Sequence, residues 1–393
     1  MTVRLVVAAE ECGRGIVLTL ELQETGPDPD HHEGEVSACC FSPDNLYALS
    51  GGWDGHLRLW DARSGRLVCV LKVSTKPVSA CCVTLDGSHW LAGTLDGLLS
   101  RWDSVTHQLM TAFLAHSRPI SAIAFASGGK LMATAAWDCN VSLWNLARDR
   151  KKRNLIGHTD IVAGCRFSAD GRRLLSWSHD RTLRWWDIEH AESIRILREH
   201  LDRVTAAAIS PDGAYAVSGS RDGMVKLWNL QAGTEVATID LNKEVRGCFF
   251  LLDGHSFGSV EADGHIKIFS LPDGKLLTEL GCEIVVDCCD LAPSSGQLVL
   301  GCADGHLRFV TIRGFDRSPL TITATQASRR TATRMERFFG RSRVVDFYSC
   351  TCPACRRSFE LPDPKKHARC PSCQRSVRVS TIIPAEPVAM SPS

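Results

Sequence analysis

Residues 157–187 read Gly-His-Thr-Asp-Ile-Val-Ala-Gly-Cys-Arg-Phe-Ser-Ala-Asp-Gly-Arg-Arg-Leu-Leu-Ser-Trp-Ser-His-Asp-Arg-Thr-Leu-Arg-Trp-Trp-Asp. The stretch opens with Gly157-His158 and closes with Trp186-Asp187, and Ser176 and Asp180 lie between. The same four side-chain types recur three more times: His32, Ser50, Asp54, Trp60; His116, Thr134, Asp138, Trp144; and His200, Ser218, Asp222, Trp228. From each His the hydroxyl lies 18 residues on, the Asp 22 and the Trp 28. Four copies in fixed register are an internal repeat, which governs every other reading of the chain. The aromatics that end successive units are Trp60, Trp102, Trp144, Trp186 and Trp228, a period of 42, followed by Phe269 and Phe309 at steps of 41 and 40. An Asp-containing turn precedes each one, at Asp54, Asp96, Asp138, Asp180, Asp222, Asp263 and Asp304, so there are seven units.

Within a unit, short β-prone runs alternate with Asp/Gly turns: 162–167, then Ser168-Ala169-Asp170-Gly171, then 173–178, then 183–188. One such small sheet cannot bury both its faces, whereas seven stacked radially cover one another. The period and the Gly-His and Trp-Asp punctuation resemble the WD40 repeat, and the chain resembles the WD40 β-propeller family over about residues 16–312. The resemblance implies an all-β, seven-bladed propeller over residues 1–318, closed by pairing strands from both chain ends. Residues 16–22 are one candidate for the outer strand of the seventh blade, and residues 320–325 are the competing one.

In that family the His, hydroxyl, Asp and Trp of a blade form a hydrogen-bonded chain. By resemblance, blades 1, 3, 4 and 5 carry it complete. Blade 2 has Ser74 and Ala92 in place of the His and hydroxyl, blade 6 keeps Ser259 and Asp263 without the His, and blade 7 keeps only Asp304. A His-Ser-Asp set also invites a hydrolase reading. Four copies in repeat register point to architecture instead, and no Gly-x-Ser-x-Gly turn accompanies them. No catalytic residue, and no enzymatic activity, is expected.

The residue before each turn Asp is Trp53, Leu95, Trp137, His179, Arg221, Ala262 and Ala303. In the family this position lies on the rim near the central channel, where partners dock. The repeat is otherwise uniform, yet here its chemistry varies, and Trp and Arg are frequent hot-spot residues. Trp53, Trp137, His179 and Arg221 are therefore the candidate partner-binding residues.

A second module follows. Cys352-Pro-Ala-Cys355 and Cys370-Pro-Ser-Cys373 are paired Cys-x-x-Cys knuckles separated by fourteen residues, a spacing that fits one tetrahedral zinc site with four cysteine ligands. Cys350 is an alternative to Cys352. The segment 346–380 resembles the short zinc ribbons of bacterial proteins, and one structural Zn2+ would supply folding energy to a unit too small for a core of its own. Four thiolates leave no open coordination position for catalysis. Residues 319–345 read as a basic linker with one or two helical turns around Met335, Phe338 and Phe339, and residues 381–393 as a tail.

The net charge of +1 over 393 residues hides an asymmetry. Residues 313–378 carry 15 Lys/Arg against 5 Asp/Glu, which leaves about −8 on residues 1–312. Eighteen cysteines would suggest disulfides in a small secreted chain, but Cys39, Cys81 and Cys165 share one register of the repeat, with Cys248 and Cys288-Cys289 close to it. Buried packing in a reducing compartment is the expectation. The adjacent pairs 39–40, 81–82 and 288–289 are poor disulfide partners within themselves, since neighbours on a strand point to opposite faces. No apolar run approaches the ~20 residues that span a bilayer, and a cytoplasmic protein is expected. The expected function is a non-enzymatic scaffold that binds protein partners on the propeller rim, with the ribbon as a second interaction module. The alternative is a nucleic-acid-associated adaptor whose basic ribbon contacts phosphate.

Overall fold

Each of the seven units opens with a short strand led by Val or Ile and follows it with further short strands joined by tight turns, which favours pairing between neighbouring strands. The computed structural model describes residues 2–6, 19–24, 31–146, 150–292, 295–313, 320–331, 344–351, 358–361, 368–369 and 376–383. The chain divides into two units, Met1–Phe315 and Asp316–Ser393.

The first unit is a seven-bladed β-propeller of antiparallel sheets. Blade 1 is typical, with strands Val36–Phe41, Tyr47–Gly52, His56–Asp61 and Leu67–Lys72 running from the centre outward. The first strands of the other blades are Val78–Val83, Ile120–Phe125, Val162–Phe167, Val204–Ile209, Val245–Phe250 and Val286–Leu291. Each packs on the next, and the last packs on Val36–Phe41 to close the ring. The leading Val or Ile of every first strand is wholly buried. It does so by seating on the second strand of the preceding blade. A Cβ added to Gly51 would stand 2.5 Å from Cγ1 of Val78, and one added to Gly301 would stand 2.7 Å from Cγ1 of Val36. Glycine there lets one sheet approach the next closely enough to exclude water.

Hydroxyls add directional ties between blades. Ser37 Oγ donates to the carbonyl of Val78, Ser79 Oγ to that of Ile120 (2.6 Å), Ser121 Oγ to that of Val162, and Thr205 Oγ1 to that of Val245. The equivalent residues of blades 4, 6 and 7 are Ala163, Arg246 and Asp287, which have no hydroxyl to offer.

Blade 7 takes three strands, Val286–Leu291, Gln297–Cys302 and Leu307–Arg313, from the last repeat. Its fourth strand is Thr19–Glu24, antiparallel to Leu307–Arg313 with Leu20 opposite Ile312 and Leu22 opposite Val310. Thr2–Val6 pairs outside it as a fifth. Leu20 and Leu22 are buried in a cluster with Leu298, Leu300, Val310 and Ile312. Residues 320–325 do not close the ring. They belong to Leu320–Thr331 in the second unit.

The second unit is a five-stranded sheet in the order Ser358–Leu361, Val344–Thr351, Leu320–Thr331, Ser376–Ile383, Ala368–Arg369. The linker expected over 319–345 therefore includes a twelve-residue strand. The reason is local, because Leu320-Thr321-Ile322-Thr323 alternates apolar with β-branched polar residues and suits a pleated ribbon better than a helix. Met335, Phe338 and Phe339, on which a helix would rest, lie outside the described residues, as does the tail from 384. Among the described residues no helix is long and apolar enough to cross a membrane.

The closing strand makes a testable contribution. Leu20→Ala removes a fully buried side chain at the ring's join and is expected to lower the free energy of unfolding by about 2–5 kcal/mol, as for other Leu→Ala changes in cores. Urea denaturation against wild type measures it, and a change below about 0.5 kcal/mol would mean that the join does not limit stability.

Candidate functional site

Two arrangements in the propeller carry polar chemistry: the repeated His-hydroxyl-Asp-Trp sets and the rim. In blade 4, His158 Nδ1 lies 2.7 Å from Asp180 Oδ2, His158 Nε2 lies 2.8 Å from Ser176 Oγ, and Trp186 Nε1 donates to the same Oγ at 2.8 Å. Blades 1, 3 and 5 repeat this with His32, Ser50, Asp54, Trp60; His116, Thr134, Asp138, Trp144; and His200, Ser218, Asp222, Trp228. The outline resembles a hydrolytic triad, but each hydroxyl is wholly buried and holds an indole N–H where a substrate would have to enter. These sets tie the turn before the third strand to the strand pair beneath it, which is a structural role.

The Asp side chains show how much each set contributes. Burial is the largest single influence on Asp54, Asp138, Asp180 and Asp222 and opposes their charge, yet the hydrogen bond and charge of the neighbouring His, together with the backbone N–H donors of the turn, outweigh it and each carboxyl stays below the usual range. A carboxyl lowered in the folded state stabilises fully above its unfolded value, about pH 4, and that stability is lost as pH falls below it.

The other blades are incompletely wired. In blade 2, Trp102 Nε1 donates to Ser100 Oγ at 2.9 Å instead, and Asp96 accepts from Thr94 Oγ1. In blade 6, Ser259 Oγ is buried with no hydrogen-bond partner among the described residues, and Asp263 pairs with His265 Nδ1 at 3.0 Å. In blade 7, Asp304 holds Arg308 at 2.7 Å. Sequence reasoning did not single out a compact group in blade 6, Glu261, Asp263 and His265, whose ligand atoms lie within 4.8 Å of one another. The alternation Glu-Ala-Asp-Gly-His at 261–265 was its visible signal. Lys267 Nζ stands 2.7 Å from Glu261 Oε1 and neutralises it, so the group is balanced as an ion-pair cluster.

The rim residues are equivalent in structure as well as in sequence. At every one the backbone N–H donates to the carbonyl eighteen residues earlier: Trp53 to Glu35, Leu95 to Pro77, Trp137 to Pro119, His179 to Ile161, Arg221 to Arg203, Ala262 to Glu244 and Ala303 to Val285. The frame is thus constant and only the side chains differ. Trp53 is 52% exposed and Trp137 46%, whereas the structural Trp60, Trp186 and Trp228 are 1% exposed. Arg221 is exposed and His179 half-buried. His179 Nδ1 has no hydrogen-bond partner among the described residues. Burial, followed by the charge of Arg203, lowers the His179 pKa, with Asp160, Asp202 and Arg221 also near it. Two indoles on blades 1 and 3 are followed by imidazole and guanidinium on blades 4 and 5.

Cys352, Cys355, Cys370 and Cys373 lie outside the described residues. The strands that border them are described. Thr351 pairs with Ser358 on either side of the first knuckle segment, and Arg369 with Ser376 on either side of the second. Cys350 is within a strand, opposite Ala324 and Phe359.

With this geometry in hand, the similarity to known proteins is informative. The family model described as "WD domain, G-beta repeat" matches residues 27–61, 107–145, 149–187 and 191–229. These four segments contain the four complete hydrogen-bonded sets, with the first three strands of blades 1, 3, 4 and 5. Four segments of the chain are thus similar to the WD repeat, and they lie within a seven-bladed β-propeller. A solved structure described as "Structure of U3-55K" superposes with a TM-score of 0.67 at 18% identity, covering 74% of this chain and 98% of that one. At that identity the likeness is one of fold. Similarity extends to 1865 solved chains, and a fold so widely used selects no single function. No curated protein matches the sequence.

Two measurements check the wiring. Ser176→Ala leaves both His158 and Trp186 without their shared partner and is expected to cost about 1–3 kcal/mol, whereas Ser259→Ala removes an oxygen that satisfies nothing and should be near neutral. Urea denaturation of both variants compares them directly. Asp180→Asn should be less stable than wild type at neutral pH and should lose less on acidification below about pH 4; parallel acid profiles would show that Asp180 does not titrate with unfolding.

Proposed function

We propose that the protein is a non-enzymatic scaffold whose propeller rim binds protein partners, with a C-terminal zinc ribbon as a second interaction module. The observation that carries the reading is the pair of exposed indoles at Trp53 and Trp137, set on a backbone frame identical in all seven blades. Half-exposed Trp is costly in water and is a frequent anchor when a partner covers it. His179 and Arg221 extend the same arc with hydrogen-bond donors, so the surface suits a partner that offers an apolar anchor beside a carboxylate. The hydrolase-like sets are sealed by tryptophan, which supports a binding role over a catalytic one.

For the second module, topology supports a single metal. Val344–Thr351 runs antiparallel and Ser376–Ile383 parallel to the central strand Leu320–Thr331. Thr351, which ends the first of these, and Ser376, which begins the second, therefore border their knuckles at the same end of the sheet, the end where Leu320 lies. Cys352, Cys355, Cys370 and Cys373 would hold one Zn2+, fixing the two hairpins to each other. The paired Cys-x-x-Cys knuckles favour Cys352 over Cys350 as the ligand.

Affinity purification from the native cell with the intact protein, with Trp53→Ala/Trp137→Ala, and with Cys352→Ser/Cys370→Ser tests both parts. A stoichiometric protein partner should be lost at least tenfold with the Trp pair while the circular dichroism of the propeller is unchanged; undiminished recovery would refute the rim. Elemental analysis should find one zinc per intact chain and none in the Cys variant. Recovery that is nuclease-sensitive and lost with the Cys pair would make the nucleic-acid adaptor the better reading.

A further inference from the structure

The seam between blade 7 and blade 1 is built unlike the other six. Like the seams that follow blades 4 and 6 it lacks the hydroxyl tie, because Asp287 stands where Ser37, Ser79, Ser121 and Thr205 make theirs. In its place is a pair of sulfurs: Sγ of Cys288 lies 3.4 Å from Sγ of Cys39 and 3.3 Å from the carbonyl of Val36.

The strand registers show that this pair occurs once. The residues equivalent to Cys288, third in each first strand, are Ala38, Ala80, Ala122, Gly164, Ala206 and Gly247. The residues equivalent to Cys39, fourth in each first strand, are Cys81, Ile123, Cys165, Ala207, Cys248 and Cys289. The third residue of one blade meets the fourth of the next, as Gly247 does: a Cβ built there would stand 2.0 Å from Cys289 Sγ. At these two positions, and among the described residues, the 7-to-1 seam is the one with a thiol on both sides; Cys40 of blade 1 lies beside Cys81 and Cys82 of blade 2 through other positions. Space for the Cys39–Cys288 pair comes from Gly301, where a Cβ would stand 2.5 Å from Cys288 Sγ.

We infer that Cys39 and Cys288 are a redox modification site, oxidised by a small peroxide to a disulfide that bolts the ring across its join. Cys39 and Cys288 keep some surface as residues, but burial raises both thiols, so hydrogen peroxide reaches the sulfurs only as the join opens locally. One sulfur, as thiolate, attacks the peroxide, breaks its O–O bond and becomes a sulfenic acid with release of water. The second sulfur displaces the hydroxyl, which leaves as water with that thiol's proton. Two thiols and one peroxide give one disulfide and two waters. Cys39 is held well above the ordinary thiol range by its contact with Cys288 and by burial, so the reaction is slow at neutral pH. The resulting loop spans 249 residues and encloses the first strands of all seven blades. A bridge over so long a loop restricts the unfolded chain strongly.

The test treats the full chain with excess hydrogen peroxide, blocks remaining thiols, and maps peptides without reduction. Mapping keeps the cysteines of the second unit apart from those of the propeller. The expected result is a peptide cross-linked through Cys39 and Cys288, with the unfolding midpoint raised by roughly 5 °C or more and restored by a dithiol reductant. Cys39→Ser and Cys288→Ser should abolish both effects, while Cys40→Ser and Cys289→Ser should keep them. Sulfenic or sulfinic adducts without a cross-link would overturn the proposal, as would a cross-link through Cys40 to Cys81 or Cys82, which lie beside it. Mapping of the wild-type protein alone decides the matter if a variant fails to fold.

Discussion

Close approach of one sheet to the next is the constraint on which the propeller depends. The leading Val or Ile of each first strand is buried only because the preceding blade receives it, and no blade has a second means of covering that residue. Each unit is therefore stable only in company, and the seventh must meet the first. Apolar contact supplies most of the driving force, while hydroxyl-to-carbonyl bonds along the channel set orientation. The His-hydroxyl-Asp-Trp sets act at a different place, fixing the turn that leads into the third strand. Their presence in four blades and absence from three shows that the ring tolerates blades whose turns are held by other means, such as the Asp304–Arg308 pair.

This division explains how the same scaffold leaves its rim free to vary. The seven residues before the turn Asp share one backbone hydrogen bond, eighteen residues back, and so need no side-chain contribution to hold their place. A position fixed by its backbone can carry Trp, Arg, His or Ala without penalty to the fold. Variation there is inexpensive in stability, and chemistry can be placed where a partner would meet it.

Much of the architecture is legible in the sequence because the repeat is strict where packing is strict. Trp60, Trp144, Trp186 and Trp228 mark blades whose hydrogen-bonded sets are all present, and their spacing alone locates the strands. The degraded blades 6 and 7 are still placed by Asp263, Asp304, Phe269 and Phe309. The closing strand is legible only as one of two candidates, since residues 16–22 and 320–325 have the same β-prone character and nothing local says which partner each will find. The stretch from 320 to 331 reads as linker because its basic residues mask the Leu-Thr-Ile-Thr alternation. The rim is legible as a register, yet the exposure of Trp53 and Trp137 is not, because exposure depends on what neighbouring blades leave uncovered. The Cys39–Cys288 contact is invisible for the same reason: residues 249 apart meet only once the ring exists.

The join also orders events in time. Thr19 pairs with Arg313 and Glu24 with Arg308, so a strand synthesised before blade 1 must wait for nearly the whole propeller before its partner emerges. During translation its buried face, with Leu20 and Leu22, has no native cover, and every intermediate of the growing chain presents an open edge. Closure of this ring therefore waits for the last blade, and long-range pairing of this kind slows folding. A ribosome that stalls before residue 307 releases a chain that cannot shut.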